Sequence, residues 1–150
     1  MATTFRLCAA ADADVAARRI EGWLAADQAG APLGGLREGL HRFLADSRLG
    51  HLWIIEERGV PAGYTVLTVR DHGLNGEPRA YVTALYLAAE YRGQGIGRRA
   101  ERFLAEVGTW LRLQVHSFNT ADERKHATTL FRTPSSASDP NITPHHRAVA

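Results

Sequence analysis

This chain of 150 residues has a single cysteine, no long apolar run and a small net charge. Its one cysteine, Cys8, excludes a disulfide framework and a cysteine metal cluster, and the pair His145-His146 lacks the spaced partner ligands of a zinc site, so we predict no metal. No 18-residue apolar run and no N-terminal apolar core is present, which predicts a cytoplasmic protein without a membrane partner. Because the net charge of +2 is small and interspersed, we expect no nucleic-acid partner.

The apolar residues make up 45% of the chain, which suffices for one core, so we predict a single domain over residues 1–150. Their periodicity predicts the order β-α-α-β-β-β-α-β-α with a central, largely antiparallel meander, which is an α+β (mixed α/β) fold. The predicted strands cover residues 5–9, 51–57, 60–69, 79–87 and 110–115, and the predicted helices cover residues 12–26, 36–44, 98–107 and 120–131. Cys8 and the three tryptophans, Trp23, Trp53 and Trp110, are expected in the core.

Three glycines stand at the junction between a predicted strand and a predicted helix. They lie in the run Tyr-Arg-Gly-Gln-Gly-Ile-Gly-Arg-Arg, residues 91–99. Glycine accepts positive φ and lets a ligand approach the main chain closely. The unpaired N–H groups and the dipole of the first helical turn favour an anion there. We therefore predict a pyrophosphate-binding site at this junction.

Two other nucleotide signatures fail in the same run. A dinucleotide fingerprint G-x-G-x-x-G that begins at Gly93 needs glycine where Arg98 stands, and a P-loop needs a terminal Gly-Lys-Ser/Thr. The run instead matches Arg/Gln-x-x-Gly-x-Gly/Ala, with Arg92, Gly95 and Gly97 at the fixed positions. This is the acetyl-CoA pyrophosphate motif of the GNAT superfamily of N-acetyltransferases, which the chain resembles over about residues 6–119.

The resemblance implies a GNAT-like fold, in which helices flank a twisted, mostly antiparallel sheet and two strands splay apart. It also implies that acetyl-CoA is the cosubstrate and that the acceptor is a primary amine of a small molecule or peptide; a homodimer remains possible. The slot for thioester and amine would lie between residues 85–87 and 113–115. The residues implied to bind the cofactor are Leu85, Tyr86, Leu87, Arg92, Gly93, Gln94, Gly95, Ile96, Gly97, Arg98 and Asn119.

Such a transfer needs a group that accepts a proton from the amine, because an amine near its usual pKa of about 10 is mostly protonated at pH 7. The resemblance implies that the Leu87 N–H holds the developing oxyanion. It also implies an acidic pair shortly before Leu87, but Thr83-Ala84 stands there. Glu56 is our candidate for the base, and the alternatives are Glu57, Asp71, His72 and His116.

The group that would protonate the departing thiolate is altered as well. The resemblance implies a tyrosine on the helix after the fifth strand, but His126 or Phe131 stands in its place, depending on the alignment; we take His126 as the candidate. The final strand pair of the family is not recognisable, so residues 133–150 are expected to be a divergent or poorly ordered tail. These departures leave a second interpretation open, a non-catalytic acyl-CoA-binding or sensor module on the same fold.

Overall fold

A computed structural model of the chain describes residues 2–27, 35–72, 77–113 and 115–117. Within these residues the chain forms five strands and three helices. They are β1 (Thr3–Leu7), α1 (Ala13–Ala26), α2 (Leu36–Ala45), β2 (Gly50–Glu57), β3 (Val60–His72), β4 (Glu77–Leu87), α3 (Ile96–Leu111) and β5 (Val115–Ser117). The first strand therefore begins and ends two residues earlier than predicted, whereas both helices between β1 and β2 lie where their apolar stripes predicted them.

The five described strands form one sheet in which spatial order equals chain order, β1-β2-β3-β4-β5. The first four strands pair antiparallel, and β5 pairs parallel to β4. β2 and β3 are joined by the turn at Arg58 and Gly59, where both residues have positive φ, as two-residue hairpin turns require. The α+β fold with an antiparallel meander is confirmed.

Helices cover both faces of the sheet, and each face has its own apolar cluster. α1 and α2 pack on one face, where Ile20, Leu40 and Tyr64 are fully buried. α3 packs on the other face, where Leu104 meets Ile55 and Leu67. Cys8 and Trp53 are buried as expected, with 8% and 5% of their surfaces exposed.

The third helix is longer than predicted, and the strand predicted over residues 110–115 is wrong. α3 continues to Leu111 and ends at Arg112, which has φ +56. The alternation of Leu111, Leu113 and Val115 suggested a strand, but the apolar stripe of the helix extends to Gly108, where the backbone passes close to the Val115 side chain. Gly108 thus marks a close approach between helix and strand rather than the end of the helix. β5 starts only at Val115.

Trp110 is 88% exposed within the described structure, so its expected place in the core is wrong. It follows Gly108, the last buried residue of α3, by two positions, or about 200° around the helix. Its ring lines an apolar groove of about 470 Å³ together with Leu7 and Phe103. Val107 and Leu111 of the last turns of α3 also line this groove, so it lies near the end of α3 that is far from the glycine run.

A β-bulge interrupts β4 at Thr83. Val66 pairs with Ala84 and Leu67 pairs with Val82, so Thr83 is the extra residue. The bulge explains how Val82 and Leu85, three positions apart, both pack in the cluster under α3. The Thr83 hydroxyl lies 2.7 Å from the Thr68 hydroxyl, which satisfies both of these buried polar groups.

Candidate active site

The end of β4, the glycine run and the first turn of α3 meet at one corner of the molecule. After Leu87 a short 3-10 turn, Ala89–Tyr91, redirects the chain. Gly93 and Gly95 then take φ of +74° and +81°, conformations that glycine adopts without strain. Every cofactor-binding candidate within the described residues therefore lies in this corner.

The glycine run forms an open cradle of backbone N–H groups. The Arg99 N–H is the first of α3 to be bonded, to the Gly95 carbonyl at 3.2 Å, and none of the N–H groups from Gly93 through Arg98 donates to another described residue. A Cβ placed on Gly93, Gly95 or Gly97 would meet no atom of the described residues within 4 Å, apart from its neighbours in the chain. Free donors at a helix N-terminus together with unfilled space fit a diphosphate group.

The strand edge beside this cradle offers two amides of the three that were predicted. The Ala88 N–H donates to the Ala62 carbonyl on β3 at 2.8 Å. Because N–H directions alternate along a strand, Tyr86 also faces β3, while Leu85 and Leu87 face the opposite edge. β5 pairs with residues 80–82 only. Leu85 and Leu87 thus present N–H groups to an edge that has no described partner strand.

This register also corrects the predicted position of the slot between the splayed strands. Val115 pairs with Ala80, seven residues before Leu87, which is about 23 Å along a strand. The slot therefore does not lie between residues 85–87 and 113–115. The error has the same origin as the misassigned strand, because the true β5 begins where the predicted one ends.

Arg92 is held at this corner by three contacts with the protein. Its Nε donates to the Leu87 carbonyl at 2.9 Å, and its Nη2 forms an ion pair with Asp27, the C-cap of α1. Its guanidinium also lies 5.5 Å from the centre of the Tyr86 ring. Arg92 therefore braces the end of β4 against α1. Nothing in the motif could have indicated Asp27, which is 65 residues away in the sequence.

The two arginines in the first turn of α3 differ in how they are engaged. Arg99 Nη2 lies 3.9 Å from a Glu57 carboxylate oxygen and 3.5 Å from the Gln94 carbonyl, and its Nε is buried without a hydrogen bond to any described residue. Arg98 is exposed, and no described residue pairs with it. Of the two, Arg98 is the one whose charge is free to meet a ligand.

The glutamates proposed as bases lie at the tip of the β2–β3 hairpin and are paired. Glu56 lies on β2, two strands away from β4, and its carboxylate is 3.7 Å from Arg6 Nε. Glu57 accepts a 2.6 Å hydrogen bond from the Thr3 hydroxyl. Neither contacts Leu87 among the described interactions, so the structure does not bring the Glu56 candidate together with the Leu87 amide.

The remaining proton-transfer candidates are placed only in part. The backbone of Asp71 pairs with Pro78, at the end of β4 that is about 30 Å from Leu87, and His72 lies one residue beyond it. The backbone of His116 pairs with Tyr81. His126 and Phe131 lie outside the described residues, and so does the cofactor-binding candidate Asn119.

Sequence reasoning missed an aromatic cluster behind the β4 edge. Trp23, Tyr64 and Tyr86 have ring centres 5.6–6.2 Å apart, and the Tyr86 hydroxyl donates to the Trp23 carbonyl at 2.9 Å. Burial raises the pKa of Tyr64, whose hydroxyl has no hydrogen-bond partner within the described structure. The three residues lie on different elements, so no local pattern could have grouped them.

Two further classes of site are absent from the described ranges. No group of three His, Cys, Asp or Glu side chains there is arranged to hold a metal ion. In the same ranges, no helix combines the length and apolarity that a membrane span needs.

Comparison with known proteins agrees with this geometry. Residues 18–132 match the Acetyltransferase (GNAT) family. No curated protein matches the chain in sequence. Because the family match spans most of the chain, the protein belongs to the GNAT family; it is an acetyltransferase whose cosubstrate is acetyl-CoA.

Solved structures share the fold at low sequence identity. A predicted acetyltransferase with acetyl-CoA from Clostridium acetobutylicum is 18% identical, with TM-score 0.62 over 96% of this chain and 99% of that chain. The ribosomal-protein-alanine N-acetyltransferase of Brucella melitensis biovar Abortus 2308 is 19% identical, with TM-score 0.60 over 83% and 87%. An aminoglycoside acetyltransferase from an uncultured soil metagenomic sample, in complex with sisomicin, is 16% identical, with TM-score 0.64 over 78% and 77%.

Proposed function

We propose that the protein transfers the acetyl group of acetyl-CoA to a primary amine of a small molecule or peptide. One observation carries this proposal: the edge of β4 at Leu85 and Leu87, which has no described partner strand, continues into the anion cradle at Gly93–Gly97. An extended arm that ends in a diphosphate can pair with the edge and place the diphosphate on the cradle. The two structural relatives named for an aminoglycoside and for a ribosomal-protein alanine support an amine acceptor.

In the proposed reaction the amine nitrogen attacks the thioester carbonyl carbon. The N–C bond forms, the C–S bond breaks, and the proton of the amine passes to a base or through water to solvent. The Leu87 N–H, on the open edge, donates to the carbonyl oxygen as charge develops there; such a donor contributes on the order of 100-fold or more in rate. Coenzyme A, whose thiol pKa is about 8.5 by analogy with cysteine, leaves as a thiolate.

The cradle is tested by adding bulk where the backbone itself is not strained. Gly97 lies in α3 and has open space at its Cβ position, and Gly22 in α1 is its matched control. We expect Gly97→Val to weaken CoA binding at least tenfold in calorimetry, because the side chain fills the space of the diphosphate. Gly22→Val should bind as the wild type does. If both variants fold and bind CoA equally well, the assignment of the cradle is wrong.

Turnover is tested by release of free thiol from acetyl-CoA with a panel of amines that includes sisomicin and an alanine-initiated peptide. We expect slow transfer that rises toward pH 8–9, because the fraction of neutral amine rises with pH. The absence of a described carboxylate at Leu87 favours one alternative, the non-catalytic acyl-CoA sensor. Tight acetyl-CoA binding without thiol release for any amine across that range would select the sensor.

A further inference from the structure

Arg92, Asp27 and Leu87 form a linked set, here called the Arg92 clamp, that connects α1 to the reactive edge of β4. The Arg92 guanidinium uses Nε for the Leu87 carbonyl and Nη2 for the Asp27 carboxylate. The side chain of Asp27 is 13% exposed and that of Arg92 is 36% exposed, so water screens this pair less than a surface pair.

The carbonyl and the N–H of one strand residue point to the same edge of the strand. Arg92 therefore binds the Leu87 carbonyl on the edge where the Leu87 N–H meets the thioester in the proposed reaction. The direction of this N–H depends on the orientation of the peptide units on either side of Leu87. A donor fixed on the Leu87 carbonyl restrains that orientation.

Asp27 determines where the guanidinium can lie. A planar guanidinium that is bonded through Nε and Nη2 has a fixed orientation, whereas one bonded through Nε alone can turn about that bond. α1 in turn is tied to β4, because the Tyr86 hydroxyl donates to the Trp23 carbonyl at 2.9 Å. This bond links α1, whose C-cap is Asp27, to the strand that carries Leu87.

We propose that Asp27 is a positioning residue for acetyl transfer, which acts through Arg92 to orient the Leu87 peptide. This inference rests on the proposed function, because it assigns the reacting carbonyl to the Leu87 N–H. It predicts an effect on the rate at saturating acetyl-CoA rather than on the affinity for CoA, since the charge of Arg92 remains beside the cradle when Asp27 is changed.

Asp27→Asn is the test, and Asp46→Asn is its matched control. Asp46 is the C-cap of α2 and also pairs with an arginine, Arg48, but it does not contact the end of β4. We expect Asp27→Asn to shift the ¹³C carbonyl NMR resonance of Leu87, to lower kcat for thiol release about tenfold, and to leave the Kd for CoA within about twofold. Asp46→Asn should change none of the three quantities.

Arg92→Lys provides a second variant that keeps the charge but loses the planar, two-sided donor. It should reproduce the carbonyl shift and the loss in kcat. The double variant Asp27→Asn/Arg92→Lys should have a kcat no lower than that of either single variant, because both substitutions break the same linkage. Melting curves identify any variant that fails to fold. If one of the two single variants does not fold, the other one tests the proposal.

The outcomes separate this inference from the proposed function. An unchanged Leu87 carbonyl resonance in folded Asp27→Asn overturns the clamp whether or not the protein turns over. A shifted resonance with unchanged kcat shows a structural contact only and overturns the positioning role. A wild-type protein that binds acetyl-CoA but acetylates no amine refutes the proposed function, and with it the role of Asp27 in transfer.

Discussion

Arg92 combines two properties, a positive charge and a fixed shape, and they serve different ends. The charge lies beside the cradle. The planar guanidinium bonds to the Leu87 carbonyl and Asp27 and lies near the Tyr86 ring. The sequence motif indicated that Arg92 matters, and it left open whether the side chain reaches phosphate or supports the loop. The structure shows that the side chain supports the loop through the Leu87 carbonyl and Asp27. The contribution of its charge to CoA affinity can be measured separately.

Arg92→Ala removes both the charge and the support, so it should weaken CoA binding about tenfold, or about 1.4 kcal/mol. Arg102→Ala removes the same charge from an exposed position on α3 and should change the affinity less than twofold. Calorimetry at moderate salt compares the two, because screening suppresses long-range charge effects there. Equal losses would mean that general positive charge, and not the motif, holds the ligand.

At the scale of elements, α3 contacts β5 at Gly108, a residue without a side chain. A Cβ on Gly108 would lie 2.1 Å from Val115 Cγ2 and 3.1 Å from the Leu113 carbonyl oxygen. Helix and strand can approach this closely only because that atom is missing. Gly108 therefore helps to set the position of β5 beside β4.

Gly108→Ala should destabilise the protein by about 1–3 kcal/mol, because the overpacked contact outweighs the gain of up to about 1 kcal/mol in helix propensity. Chemical unfolding measures the free energy, and Gly22→Ala in open space on α1 should show only the propensity gain. Adding Val115→Ala should restore most of the loss from Gly108→Ala. A stability of Gly108→Ala equal to that of the control would contradict the close packing.

The sequence predicts this fold best where a pattern is local. The stripes of α1 and α2, the β2–β3 hairpin and the glycine run each follow from a periodicity or a turn within one stretch of chain. Prediction failed at residues 110–115 because alternation in Leu111, Leu113 and Val115 cannot be distinguished from the end of a helix without knowing what Gly108 packs against. The Asp27–Arg92 ion pair and the Thr68–Thr83 hydrogen bond were invisible because they join elements far apart in sequence.

At the scale of the whole molecule, the only thiol of the chain is enclosed by the fold. Burial, and secondly the negative charge of Asp12, raise the pKa of Cys8 to about 11. The thiolate fraction of the folded state near neutral pH is therefore far lower than for a free cysteine. A thiol reagent used to follow CoA release consequently measures the product and not the native protein.

We expect Cys8 in the folded protein to react with an aromatic disulfide reagent far more slowly than in guanidinium, where one thiol per chain should react. The raised pKa also sets a sign for stability. Between the ordinary pKa near 8.5 and about 11, the unfolded chain loses a proton that the folded chain keeps, so the free energy of unfolding falls as pH rises. Cys8→Ala should lack this decrease; the same decrease in both proteins would assign it to other groups.

The edge of β4 also bears on association between molecules of the protein. Within the described residues, Leu85 and Leu87 lie on an edge without a partner strand, and such an edge is the kind of surface through which two chains join by strand addition. Here the edge is short, because β5 covers residues 80–82 and Arg92 occupies the Leu87 carbonyl, and the bulge at Thr83 adds local twist. Bound acetyl-CoA would cover the amides that remain. We therefore expect bound acetyl-CoA to suppress aggregation of the enzyme, and aggregation to be most favoured when acetyl-CoA is scarce.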